Sequence, residues 1–553
     1  MISHLTGQSR PTKLTRSGKV AIVMQIRPET SKLFAAKILL FSLLTITVTL
    51  LSGCRIGPET KPSLDDLVIG IESSPSQLDP RYATDANSAR ISSLIYSSLI
   101  RLDDKSRFVG DLAQQWTMID AQTYSFRIRR GITFHDGRAL TAGDVKYTYD
   151  SIMDRRNRSP KLGSLRVLQS VEQLGTDEIR FHLSEPHAPF LEHCTIGIVP
   201  VNSRVPRENG SQEAPPGSGP FALAQINPGE KVSLKANASY WESKPRLAGL
   251  AFRIVPDAIV RVLEFQKGTI HLLQNDIEPD TLPWLEKNTD AVVDTNPGTT
   301  FQYIGINLTH PILRNREVRQ ALAQSIDRDG IIRHILKDQA TAANGLLSPL
   351  NWAHDDSVPH WRFDPHRAQQ LLDQAGYPDP DGDGPRPRFK LSFKTTNIDL
   401  RRRIAETLKE QLSRVGIELE VRTYEWGTFY SDIKKGNFHL YSLAWVGIVD
   451  PDVYYNIFHS SSAPPNGDNR GRYSNPVVDH LLEQGRRESD PRQRKALYHQ
   501  VQQMINQDLP YIPLWWVKNV VVRKPQVVGF TPYPDGDLFS LRRTSLSHSP
   551  HLP

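Results

Sequence analysis

KLSFKTTNIDLRRRIAETLKEQLSRVGIELEVRTY, residues 390–424, decides the fold. Its first seven residues read as a strand, Asp399 to Val415 as a helix stopped by Gly416, and Ile417 to Tyr424 as a second strand. Strand, helix and strand with joints this short make a βαβ unit. Just upstream, in DPHRAQQLLDQAG (364–376), Asp364 is placed to cap a helix and Pro365 fits its first position. Ala368, Leu371, Leu372 and Ala375 form one apolar face there, and Gly376 supplies the stop. This third quarter of the chain is a wound α/β lobe. Alternation predicts strands at Tyr124, Phe126 and Ile128 and again at Ile179, Phe181 and Leu183, so residues 105–215 look richer in strands and loops. The proline-rich stretch EAPPGSGP (213–220) marks a boundary.

The chain has 553 residues, 38% hydrophobic and 23% charged, enough for two or three domains with buried cores and too polar for a polytopic membrane protein. The formal net charge of +7 is not spread evenly. Of 67 basic and 60 acidic side chains, residues 1–53 hold seven and one, which leaves 60 and 59 for the rest. That balance argues against nucleic-acid binding. Two cysteines, Cys54 and Cys194, exclude a disulfide framework, and Cys194 in HCTIGIVP beside an apolar run is expected to be buried and inert.

Ile38 to Leu51, fourteen uncharged residues after a basic stretch, suits the apolar core of a signal peptide better than a bilayer span, which needs roughly twenty. Both Met1 and Met24 precede it. It ends in Leu51-Ser52-Gly53-Cys54, which resembles the lipobox of bacterial lipoproteins. On that resemblance residues 1–53 are a removed signal peptide, Cys54 carries the lipid, and 54–66 is a polar tether. The expected location is the periplasmic side of the cell envelope.

No hydrolase signature is present. Gly217-Ser218-Gly219 lacks the spacing of a nucleophile elbow, and there is no HExxH, Walker loop or paired CxxC. In Glu192-His193-Cys194 adjacent side chains cannot easily turn to one ion. Asp379, Asp381 and Asp383 before Gly384 match half of a calcium loop, but Lys390 stands where its closing glutamate belongs, so a solvated turn is expected. No cofactor or metal is expected.

Five longer segments carry a resemblance. They are TYSFRIRRGITFHDGRALTAGDVKYTYDSI (123–152), GSGPFALAQINPGEKVSLKANASYW (217–241), NREVRQALAQSIDRDGI (315–331), FDPHRAQQLLDQAGYPD (363–379) and LPYIPLWW (509–516). In this order and spacing the chain resembles the family 5 extracellular solute-binding proteins of peptide and nickel ABC importers, over nearly all of residues 67–543. Gly143 departs from the family, which usually has glutamate before Asp144. The resemblance implies a periplasmic-binding-protein type II-like α/β fold, with two lobes, a hinge and a third domain inserted in the first lobe. Lobe I is expected from 67–105, 218–305 and 508–543, the insert from 106–217, and lobe II from 306–507. The implied protein is a monomeric, lipid-anchored receptor, not an enzyme, that encloses a peptide or peptide-like solute and delivers it to an ABC permease. A nickel chelate or other non-peptide solute is the alternative within the class, and an exported hydrolase the alternative outside it.

The resemblance places the lobe II binding segment at LAWVGIVDPD (443–452), making Trp445, Gly447 and Asp450 the candidate ligand residues. Relatives follow the tryptophan after three residues with an aspartate for the peptide's α-amino group, whereas this chain has Ile448. Two roles fit Asp450: the missing negative charge, or a cap for a helix starting near Pro451. Where dipeptide binders carry an arginine for the terminal carboxylate, the count lands near Thr395. Both ends of the usual clamp are altered, and ligands longer than dipeptides, or blocked at one end, are expected.

Overall fold

The computed structural model describes residues 66–205, 214–275, 277–382 and 384–547. The apolar segment Ile38–Leu51, Cys54, the tether as far as residue 65 and Asp383 lie outside the described residues. No helix among the described residues is long and apolar enough to cross a membrane.

The βαβ unit comprises strand Phe389–Thr396, helix Asp399–Ser413 and strand Ile417–Tyr424, the two strands being parallel with Phe389 opposite Ile417. Ala405, Leu408 and Leu412 are the buried face of the helix, and Gly416 ends it at φ 79°, a left-handed value that a side chain would resist. In the preceding helix Pro365–Gln374 the Asp364 carboxylate accepts the Arg367 N–H at 2.9 Å, and Ala368, Leu371 and Leu372 are buried.

One eleven-stranded sheet spans both lobes. Its order is Ile417–Tyr424, Phe389–Thr396, Leu440–Trp445, Val292–Ile306, Tyr511–Arg523, Leu272–Gln274, Asp66–Ile71, Gly249–Ile254, Lys231–Ala236 and Phe221–Asn227, with Ala340–Ala342 added on Tyr511–Arg523. The antiparallel strands Val292–Ile306 and Tyr511–Arg523 are long enough to serve both halves. Asp294 pairs with Val521 near the first lobe, and Gly305 with Tyr511 deep in the second. Their register breaks between Asn296 and Thr300, at Pro297-Gly298. A Cβ on Gly298 would lie 2.3 Å from the Val517 carbonyl oxygen, so the close approach of the two backbones requires glycine. The crossing therefore has a built-in bulge where its regular pairing lapses.

Apolar clusters flank this sheet. In lobe I, Leu67, Ile69, Phe221 and Phe252 pack together, while Val68, Phe265 and Leu273 form a second cluster. In lobe II, Leu322, Leu391, Leu408 and Trp515 form one cluster and Tyr303, Phe429, Tyr454 and Tyr498 another. The motif residues at 315–331 serve this packing. Asn315 caps helix Arg316–Gln324, and the buried Arg319 donates to the Asp508 and Leu313 carbonyl oxygens at 2.8 and 3.0 Å, fastening the helix beside the start of Tyr511–Arg523.

A separate antiparallel sheet, ordered Ala113–Asp120, Thr123–Ile128, Glu178–Leu183 and Leu168–Leu174, builds the core of the intervening segment with helix Ala142–Met153. Phe126, Tyr149, Phe181 and Phe190 fill it, and Cys194 is fully buried among them, its thiol pushed well up by burial. The helix begins with a capping box in which Asp144 accepts the Thr141 N–H at 2.8 Å; its other oxygen takes the Val201 N–H at 2.9 Å, so Asp144 also ties the helix to the returning chain.

Candidate functional site

The candidate site lies beside the long strands Val292–Ile306 and Tyr511–Arg523. Strand Leu440–Trp445 pairs along its whole length with Val292–Ile306, yet its pairing with Phe389–Thr396 covers only Leu440 and Tyr441. Beyond Tyr441 that pairing stops, leaving one edge of Ser442–Trp445 without a strand partner among the described residues. Side chains alternate across a strand. Ser442, Ala444 and Val446 accordingly line one cavity of about 380 Å³, and after Gly447 turns the chain at φ 68°, Gly447 and Val449 line another of about 380 Å³.

Trp445 points the other way. Its ring lies parallel to Tyr303 at 6.4 Å, the Arg470 guanidinium sits 5.1 Å above it, and its indole N–H is buried without a partner. Trp445 lines neither cavity, so it supports the strand from behind. Ile448 is 7% exposed and belongs to the lobe II core with Phe429 and Tyr454. Asp450, expected to face a ligand amine or to cap a helix, is engaged by Arg494, which donates to its two oxygens at 2.5 and 2.7 Å. It also accepts the Asp452 N–H at 2.8 Å on the approach to helix Val453–Phe458, a contact close to the capping role. The geometry brings Gly447 to a cavity wall and gives Asp450 a protein partner.

The two cavities differ in charge. Cavity one, the one reached by Gly447 and Val449 against lobe I and the insert, is lined by Asp111, Glu192, Asp535 and Asp537, with Arg101 and Lys161 as its basic groups, and cavity two is the one lined by Ser442, Ala444 and Val446. Burial, with Asp535 adding to it, pushes the Asp537 carboxyl up to about 7. Burial raises Asp111 to about 6, and burial together with Asp450 and Asp452 raises Glu192 to about 8. Cavity two is lined by Arg90, Arg401 and Lys518 against a single acid, Glu72, with Gln302, Asn275, Thr395 and Asn519 as neutral polar groups. Thr395, at the position where dipeptide binders are expected to carry an arginine, lines this cavity, and Arg401, a few residues on, supplies a guanidinium.

Contacts between lobes occur at both rims. On one side Asp280 bonds Arg403 at 2.7 Å and Lys337 at 3.2 Å. On the other the Ala188 N–H donates to the Arg486 carbonyl at 2.7 Å, with Glu185 and Arg487 3.9 Å apart. The sequence reading missed Asp535 and Asp537, because YPDGD reads as an ordinary turn, and missed Arg401, which sits mid-helix among other arginines.

Comparison with known proteins agrees with this architecture. The family described as bacterial extracellular solute-binding proteins, family 5 Middle, matches residues 107–466. The oligopeptide-binding protein AppA of Bacillus subtilis is 28% identical over 536 residues, covering 92% of this chain and 98% of that protein. The dipeptide-binding protein of Escherichia coli is 26% identical over 478 residues, covering 80% of this chain and 88% of that one. The solved structure of the Bacillus subtilis protein, in complex with a nonapeptide, aligns with a TM-score of 0.75 at 28% identity over 87% of this chain and 99% of that one.

Proposed function

The chain belongs to the bacterial extracellular solute-binding proteins of family 5, and from that premise we propose that it captures a peptide or peptide-like solute between its lobes and delivers it intact to an ABC permease. The observation that carries the peptide reading is the unpaired edge of Ser442–Trp445, opening onto a cavity. A ligand main chain laid along that edge gains hydrogen bonds indifferent to its side chains. Gly447 contributes directly in this reading, as bare backbone on a cavity wall, while Trp445 and Asp450 hold the loop that presents it.

The lobes divide as 67–105, 218–305 and 508–543 against 306–507, with 106–217 inserted, and closure about the crossing strands reports occupancy to the permease. Anchoring is by lipid at Cys54 after removal of residues 1–53, which holds a monomer at the periplasmic side of the envelope. Native mass spectrometry of the protein purified from its own cells tests the reading. A retained mass that fragments as a peptide is expected; a nickel chelate, a sugar or a hydrolysed product in its place would overturn it.

A further inference from the structure

A peptide-like ligand brings an ammonium group, and the lobe II loop provides nothing to receive it. Ile448 is apolar and packed in the core, and both oxygens of Asp450 are taken by Arg494. An ammonium removed from water must be paired.

Across cavity one lies the segment Tyr533–Phe539, with Asp535 and Asp537 on its wall. Among the described residues neither carboxylate has a cation within ion-pairing distance. Asp535 accepts the Asp537 N–H at 3.0 Å and Asp537 the Phe539 N–H at 2.6 Å, each through one oxygen, and the Ser93 hydroxyl also hydrogen-bonds Asp537. A second observation comes from a different element. Asp111, 2% exposed, lines the same cavity; its Oδ2 takes the Ser98 N–H at 2.8 Å while its Oδ1 is buried with no donor. A buried acceptor left unmatched is costly, and a donor arriving with a ligand would relieve it. Of the two bases at this cavity, Arg101 lies 3.7 Å from Glu242 and stacks on Phe539, and Lys161 is the other; Arg90, on the wall of the second cavity, also favours the charged forms of Asp535 and Asp537 without forming an ion pair with either. The other cavity has the opposite balance, with Arg90, Arg401 and Lys518 facing Glu72.

We propose that cavity one is the receptor for a cationic group of the bound solute, an α-ammonium or a basic side chain, paired with Asp535 and Asp537 and hydrogen-bonded by Asp111. The proposal rests on the peptide reading for the nature of the ligand and adds its polarity: the cationic end lies toward the Tyr533–Phe539 segment and the anionic end toward Arg401. The amine partner has thus moved from the lobe II loop to lobe I.

The test uses the variants Asp535→Asn and Asp537→Asn. Asparagine keeps the carbonyl oxygen that accepts the Asp537 or Phe539 N–H, so the loop survives, and circular dichroism with the melting temperature confirms folding. Four probes are titrated by calorimetry: tetra-alanine, N-acetyl-tetra-alanine, N-acetyl-Lys-Ala-Ala and cadaverine. Expected is wild-type binding of tetra-alanine or N-acetyl-Lys-Ala-Ala, whichever source of ammonium fits, weakened about ten- to a hundredfold by either variant, and weak binding of N-acetyl-tetra-alanine throughout. If the variants and the acetylated peptide bind as tightly as wild type with tetra-alanine, the cation site is wrong and the peptide reading stands. Binding of cadaverine alone, lost in the variants, supports the site and removes the peptide reading. If no probe binds wild type, both fall.

Discussion

Arg494 holds Asp450 in a two-pronged grip, with donor to acceptor distances of 2.5 and 2.7 Å and both side chains almost wholly buried. The same guanidinium donates to the Gly485 carbonyl at 2.9 Å, so the pair fastens the loop after Trp445 to helices Pro476–Arg487 and Pro491–Asp508. Breaking a buried pair from one side strands the other charge, which costs far more than removing both. Asp450→Ala should lower unfolding free energy by about 3–5 kcal/mol, while Asp450→Leu combined with Arg494→Met should recover most of it. Urea denaturation checks this. An Asp450→Asn protein that folds should lose affinity equally for free and acetylated peptides, since the residue supports the loop and meets no ligand charge.

Gly298 and Gly447 make a paired test of backbone constraint. At Gly298 an added methyl group meets the Val517 carbonyl oxygen at 2.3 Å, so Gly298→Ala should push the crossing strands apart at a cost of about 1–3 kcal/mol. At Gly447 nothing lies within 4 Å, and only the left-handed φ of 68° resists, so Gly447→Ala should cost about 1–2 kcal/mol in folding. The first should also change the scattering profile of the ligand-free protein, because it acts where the lobes hinge; the second should leave that profile as in wild type.

The rim contacts of Asp280 predict a salt-sensitive release rate. Its partners Arg403 and Lys337 are substantially exposed, and exposed pairs contribute little and are screened. Asp280→Ala should therefore speed ligand dissociation by about two- to fivefold at low ionic strength. In stopped-flow displacement, the difference from wild type should vanish at about 1 M salt, where the screening length is near 3 Å.

Asp537 sets the sign of a pH effect. Its folded carboxyl titrates at about 7, above the ordinary 3.8, because of burial and then the neighbouring Asp535, with Ser93 and Arg90 pulling the other way. The folded state thus binds a proton that the unfolded state has released between these values, so the contribution is stabilising below about 4 and is lost as pH rises to 7. Wild type minus Asp537→Asn stability should accordingly fall from pH 5 to pH 8. Affinity for an ammonium-bearing peptide should run in the opposite sense, rising over the same interval as the carboxyl ionises. Denaturation and calorimetry at stepped pH check the two trends.

What the sequence made legible was local. The βαβ unit at 389–424 and the Asp364 cap follow from neighbours a few residues apart, and they formed as expected. The candidate segment 443–452 was picked out through its tryptophan, and Gly447 of that segment lines a cavity. The roles within that segment were not legible, because they depend on partners far along the chain. Asp450 and Arg494 are 44 residues apart, and nothing in the spacing joins a loop acid to a basic residue on a surface-patterned helix. Asp111 and Asp537 line one cavity although they lie far apart in the sequence, a meeting that only the tertiary fold produces.

The strand Tyr511–Arg523 is the last of the eleven to leave the ribosome, yet it pairs with Val292–Ile306, Leu272–Gln274 and Ala340–Ala342. Until it arrives, Val292–Ile306 lacks one neighbour along its whole length and the sheet has no bridge from Leu272–Gln274 to the rest. A nascent chain therefore carries this sheet as two unjoined halves until the strand is made. A frameshift anywhere before Tyr511 should abolish the whole molecule, because it removes the keystone that both lobes share.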